Sequence, residues 1–209
     1  MRILRMFFVL FLLFLFLSAM TAGAYAGEAT NQVKQTTDKV INILKNKELN
    51  KPSRTKERRT IIRKTINERF DFEEMAQRSL ALHLKKRTQE EKKEFVSLYT
   101  DLLEKSYIKK IESYTDEKIL YLDEIIDDEY AVVKTKIIIP KKNLEVPIEY
   151  RLLAKKGGKW GVYDVVIEGV SLVNNYRNQF NKIIRQSSYE DLIKRMKNKR
   201  EEEFFEEKK

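Results

Sequence analysis

The side chains able to do chemistry are few and poorly placed for it. His83 is the single histidine and the chain has no cysteine. A lone imidazole on an amphipathic helix supplies neither a nucleophile–base couple nor a metal set. Carboxylates gather at Asp71, Glu73 and Glu74, and again at Asp123, Glu124, Asp127 and Asp128. Paired acids can serve glycoside hydrolysis or hold Ca2+. The first group instead suits the start of a helix, where negative charge meets the positive end of the helix dipole, and the second suits a hairpin turn. Lys156-Gly157-Gly158-Lys159 lacks the spacing of a phosphate-cradling loop. The expectation is a protein that is not an enzyme and holds no metal or cofactor.

The elements around these residues read in two styles. Helices are expected over Thr30–Leu44, then over Arg54–Arg69, which is strongly basic (Lys56, Arg58, Arg59, Arg63, Lys64) with Ser53 as its N-cap. A short helical segment follows from Phe70 to Leu84. Thr88, with Glu90 and Glu91 in the first turn, opens the longest helix, to about Tyr114. The period then changes. Ile119–Ile126, Tyr130–Ile139, Leu144–Ala154 and Trp160–Glu168 are rich in β-branched and aromatic residues. Their links are too short for parallel crossovers, so they form an antiparallel meander of four strands. Leu172, Val173, Tyr176, Phe180, Ile183 and Ile184 recur at helical spacing, and Ser188 with Asp191 starts a last helix. The fold class is therefore α+β, with helices from both ends of the chain packed on one sheet.

The apolar residues exceed what such packing requires. Phe95, Val96, Leu98, Tyr99, Leu102, Leu103, Tyr107 and Ile111 spread over about half the circumference of the long helix, whereas a helix lying on one sheet needs a stripe a little over 100° wide. The last long helix offers Tyr176 and Phe180 to the same sheet. A large filled core and a lined cavity both satisfy this pattern.

The N-terminus sets the compartment. Arg2 and Arg5 precede an unbroken apolar run, Met6–Leu17, and small residues lead to Ala24-Tyr25-Ala26. That order describes a secretory signal peptide cleaved after Ala26, because the run is too short for the roughly 30 Å, or about 20 residues, of a bilayer core. Residues 27–200 then make one domain and 201–209 a charged tail. The full chain has 42 Lys+Arg against 32 Asp+Glu. Losing residues 1–26 removes two arginines and no acid, leaving about +8. Outside the cytoplasm such a charge points to anionic lipid or acidic protein rather than to nucleic acid.

Trp160-Gly161-Val162-Tyr163-Asp164, then Glu168-Gly169-Val170-Ser171, then Tyr176-Arg177-Asn178-Gln179-Phe180 resembles the signature of the MlaC family, the toluene-tolerance auxiliary proteins. Phe70-Asp71-Phe72-Glu73-Glu74-Met75-Ala76 and Leu102-Leu103-Glu104-Lys105-Ser106-Tyr107 resemble two further family segments. The chain departs from the family at Ala81 and Leu84, where Gly and Trp are usual, and at Ser187-Ser188, where Gly is frequent. The second departure implies a turn without a left-handed residue. The resemblance implies a monomeric periplasmic phospholipid carrier that works between an outer-membrane lipoprotein complex and an inner-membrane ABC transporter with a membrane-anchored lipid-binding subunit, helping maintain outer-membrane lipid asymmetry. The expected lining is Tyr99, Leu103, Tyr107 and Ile111 on one wall and Val133, Ile137, Ile148, Tyr150 and Leu152 on the sheet. Val165, Ile167, Val170, Leu172, Val173 and Tyr176 complete it near the corner after the last strand. Two other readings stand beside it: a scaffold with a filled core that docks through the basic helix 54–69, and a carrier of another apolar molecule such as a hopanoid.

Overall fold

The structure, a computed structural model, describes residues 27–115 and 117–198. The expected signal peptide and charged tail lie outside the described residues. Helix α1 (Glu28–Lys45) leads through a single 3-10 turn (Pro52–Arg54) into α2 (Thr55–Asn67). Ser53 sits inside that turn and makes no capping bond, because Pro52 starts the turn one residue earlier. Helix α3 (Phe72–Leu80) continues as a 3-10 segment (Ala81–Lys86), and α4 (Gln89–Glu112) is the longest element. Side-chain caps fix the starts of both helices. Asp71 accepts from the Glu74 amide, and Thr88 and Glu91 form a reciprocal capping box.

The sheet comprises β1 (Lys118–Asp127), β2 (Tyr130–Ile139), β3 (Leu144–Lys155), β4 (Lys159–Ile167) and β5 (Val170–Ser171), paired antiparallel in chain order. The expected four-stranded meander thus gains a fifth strand. Glu168 and Gly169 both have positive φ, 50° and 82°. Two successive left-handed residues make the tight hairpin turn whose twist suits flanking strands, so the chain folds back as Val170-Ser171 before α5 (Leu172–Gln186) begins. Helix α6 (Tyr189–Lys197) follows, capped by Ser188 accepting from the Asp191 amide. At the α5–α6 turn Ser187 and Ser188 have φ of −137° and −161°, so that turn does without a left-handed residue.

The interior is divided in two. One cluster joins α3, α4, α5 and α6 around Met75, Leu80, Phe95, Tyr99, Tyr176, Phe180 and Leu192. The Phe95–Phe180 and Tyr99–Tyr176 rings meet edge to face, both at 5.6 Å between centroids. The other joins Ala29 and Val33 of α1 to Ala131, Val133, Ile148, Leu152, Val162 and Val165 of the sheet. The long helix therefore does not lie on the sheet as its apolar breadth suggested. It serves helix–helix packing, and α1 covers the strands. Phe70 packs against both clusters; its neighbours tie the α2–α3 link to β4, with the Asp71 amide donating to the Val162 carbonyl at 2.8 Å.

Candidate functional site

Register assigns the covered face of the sheet. Ala131 faces Leu152, Val133 faces Tyr150, Thr135 faces Ile148 and Ile137 faces Val146. On the flanks Tyr121 lies opposite Thr135 and Ile119 opposite Ile137, while Val165 lies opposite Tyr150 and Ile167 opposite Ile148. Alternation puts all of these on one side. Their burial is graded. Ala131, Val133, Leu152 and Val162 are fully enclosed beneath Ala29 and Val33, whereas Ile119, Ile137, Val146 and Ile167 are only half-buried.

Two helices show the same gradient toward the same end. On α1 the buried positions stop at Thr36, and Val40, Ile41 and Leu44 are half-buried. On α4 the buried run Phe95–Leu103 gives way to half-buried Tyr107 and Ile111, Ile108 alone remaining buried. The ends coincide in space. Helix α4 passes through a short link into β1, and Lys45, at the end of α1, lies 5.8 Å from the ring centroid of Tyr114 in that link. Lys118 pairs with Ile138, beside the β2–β3 turn. Three apolar surfaces thus lose their cover together.

The tyrosines mark this region. Burial pushes the Tyr150 phenol far above its ordinary value, yet the side chain keeps accessible surface. Tyr107 and Tyr121 are raised by the same cause and are also half-buried. The buried Tyr121 hydroxyl lies near Thr37 without a hydrogen bond of good geometry.

The corner beside this region is fixed by Asp164. Its side chain is 4% exposed; Oδ2 accepts from Ser171 Oγ at 2.6 Å, and Oδ1 accepts from the Val173 amide at 3.1 Å. Ser171 Oγ in turn accepts from the Asn174 amide and caps α5. The Trp-x-Val-x-Asp and Gly-Val-Ser segments noticed in the sequence are therefore two halves of one clamp.

Fourteen of the fifteen expected lining residues fall into three groups. Tyr107, Ile111, Ile137, Ile148, Tyr150 and Ile167 lie in the graded region, with Leu172 half-buried beside the sheet cluster. Tyr99, Leu103, Val173 and Tyr176 belong to the helical cluster, and Val133, Leu152 and Val165 to the enclosed floor under α1. Val170 is 56% exposed. Sequence reasoning missed Ile119 and Tyr121, which only the β1–β2 register places opposite Ile137 and Thr135. Two surface depressions, of about 460 and 350 Å3, lie elsewhere, around Glu91 and Tyr189 and around Arg69 and Trp160.

Polar groups that suggested other chemistry are engaged structurally. His83 faces Asn181 at 3.1 Å. Asp71 caps α3 and pairs with Lys155. Glu124 lies within β1 rather than in a turn, and accepts from the Thr30 amide at the start of α1. No group of three or more metal-ligating side chains occurs among the described residues, and none of the described helices is long and apolar enough to cross a membrane. The basic helix is occupied too. Arg58 and Arg59 both grip Glu112, and Arg63 bonds Asp101 and Glu104.

The sequence profile described as "MlaC protein" matches residues 34–198. The chain belongs to the MlaC family. A relative in Haemophilus influenzae, the intermembrane phospholipid transport system binding protein MlaC, is 26% identical over 143 residues. That alignment spans 66% of this chain and 66% of the relative, just under two thirds of each. The solved structure of a phospholipid-binding protein from Ralstonia solanacearum, in complex with a phospholipid, superposes with a TM-score of 0.74 at 22% identity. It covers 86% of this chain and all of that one, which establishes that the two share a fold.

Proposed function

We propose that this MlaC-family protein carries a phospholipid through the periplasm, after export and removal of residues 1–26. Its acyl chains lie along the graded apolar region, against Tyr107, Ile111, Ile137, Ile148, Tyr150 and Ile167, with Val170 and Leu172 at the rim. Tyr99, Leu103, Val133, Leu152, Val165, Val173 and Tyr176 form the packed base behind them. The observation that carries this reading is the loss of apolar cover on α1, α4 and the sheet at one common end. The phospholipid in the Ralstonia structure and the name of the Haemophilus relative support the ligand class.

Physical chemistry makes such a carrier necessary. Each methylene favours an apolar site over water by about 0.8 kcal/mol, so a two-tailed lipid resists leaving a bilayer by roughly 20 kcal/mol or more. A site of comparable apolarity removes that barrier without supplying direction. Direction then comes from partners that hydrolyse ATP: an inner-membrane ABC transporter reached through its membrane-anchored lipid-binding subunit, with an outer-membrane lipoprotein complex at the other side. The carrier acts as a monomer, and its cycle maintains outer-membrane lipid asymmetry. The competing scaffold reading needs the arginines of α2 for docking, and Arg58, Arg59 and Arg63 are already paired with α4.

Native mass spectrometry of the mature protein, followed by lipid extraction, tests the proposal. The expected result is co-purified phospholipid in wild type and its loss in Ile137→Glu, where a carboxylate stands on the half-buried floor. Val170 is unsuitable for this test, since a charge at a 56%-exposed side chain stays hydrated. Delipidated wild-type protein that never takes up phospholipid from vesicles overturns the proposal.

A further inference from the structure

The end at which the apolar region loses its cover also carries lysines on three elements. Lys45 closes α1, Lys118 opens β1, and Lys141 and Lys142 form the β2–β3 turn. Two acids nearby are neutralised, Glu112 by Arg58 and Arg59, and Glu145 by Lys136. Glu117 directs its carboxylate to the Thr115 amide, and Glu168 occupies the β4–β5 turn. Among these lysines stand exposed apolar side chains. Leu144, just after the β2–β3 turn, is 42% exposed, and Val170 is 56% exposed. The Glu168 amide donates to the Pro147 carbonyl, which brings the β4–β5 turn to the same edge.

From this arrangement we infer that the basic end docks directly on an anionic phospholipid surface, with Lys118 and Lys142 among the head groups and Leu144 and Val170 entering the interface. This deepens the carrier proposal and rests on it, because it places the mouth of the lipid site against the bilayer. Lysines reach head groups while their stems lie along apolar surface, and leucine and valine are suited to the acyl boundary. An acidic protein surface would match the lysines but would leave the two exposed apolar side chains without a role. The shape of the attachment is a shallow, salt-sensitive contact rather than an anchor. Each lysine near an anionic membrane contributes about a fivefold gain in binding.

The test is co-sedimentation of the mature chain, residues 27–209, with vesicles of phosphatidylcholine alone and of phosphatidylcholine mixed with phosphatidylglycerol, at low and high salt. Binding to the anionic vesicles only, weakened by salt, is expected. The Lys118→Glu/Lys142→Glu variant should bind at least about 25-fold more weakly, and Leu144→Asp should also bind more weakly. Lys85→Glu/Lys86→Glu, at the far end of α4 some 36 Å away at 1.5 Å per residue, should bind as wild type. Equal binding of neutral and anionic vesicles, no binding to either, or an equal loss in the Lys85/Lys86 control overturns the inference. Thermal melts confirm that each variant is folded. Native mass spectrometry separates the two proposals. Lipid-loaded protein that ignores vesicles removes only the docking, and vesicle-bound protein that never holds lipid removes the carrier.

Discussion

The Asp164 clamp yields a prediction whose size follows from its donors. The carboxylate holds the Ser171 hydroxyl and the Val173 amide, with Arg151 more distant at 3.4 Å. In Asp164→Asn the amide oxygen can still accept from Val173, and its NH2 can donate to Ser171 Oγ, which also remains able to accept from Asn174. What is lost is the charge assistance to two bonds, about 1–2 kcal/mol. Asp164→Ala leaves a buried backbone N–H and a hydroxyl without their acceptor and adds a small void, about 3–4 kcal/mol. At about 2–4 °C per kcal/mol for a domain of this size, the two variants should melt about 4 °C and about 10 °C below wild type. Urea unfolding followed by tryptophan fluorescence, using the single Trp160, gives the free energies independently. If the Asn variant falls as far as the Ala variant, charge rather than hydrogen-bond geometry holds the corner, and the argument fails. If the Ala variant loses less than about 1 kcal/mol, the clamp does not organise the corner at all.

Two further outcomes are expected. Ala81 has φ 50° and ψ −121°, a conformation that suits glycine, so Ala81→Gly should relieve about 1–3 kcal/mol of strain, offset by about 0.5–1 kcal/mol of added chain entropy in the unfolded state; the net gain is read from denaturant midpoints, and a destabilised variant contradicts it. Bonding from Arg59 and then Arg58 holds the Glu112 carboxyl below its ordinary value, so its stabilisation is full above the unfolded-state pKa and is lost as pH falls through the folded one. Glu112→Gln should cost about 2–3 kcal/mol at neutral pH and should flatten the acid limb of a melting-temperature profile; an unchanged acid limb refutes the link.

The strands were legible because their turns carry their own chemistry: Asn143, Gly157 and Gly158 adopt the positive φ that the hairpins require. The starts of α4 and α6 were legible through Thr88–Glu91 and Ser188–Asp191. What escaped was the pairing of layers. Periodicity shows that α4 has a broad apolar face, but not whether a sheet or three helices will meet it. Helix α1, with Val33 its only large apolar side chain in the buried half, gave little sign that it would cover the sheet. The arginines of α2 looked like a docking face because their partners, Asp101, Glu104 and Glu112, lie some forty to fifty positions away. Strand alternation fixes the side of the sheet for Ile137, Ile148, Tyr150 and Ile167, as it does for Val133, Leu152 and Val165, but which of them α1 covers is decided by tertiary contacts, as are the neighbours of Tyr107 and Ile111 on α4.

The divided interior has a mechanical corollary. The ring stack of Phe95, Tyr99, Tyr176 and Phe180 and the greasy seat of α1 are separate structural units, bridged at Phe70. The Asp164 clamp, from β4 to the start of α5, joins them a second time. In the proposed carrier the aromatic knot would be the back wall, and α1, seated on the strands through Ala29 and Val33, the single helix that closes the front.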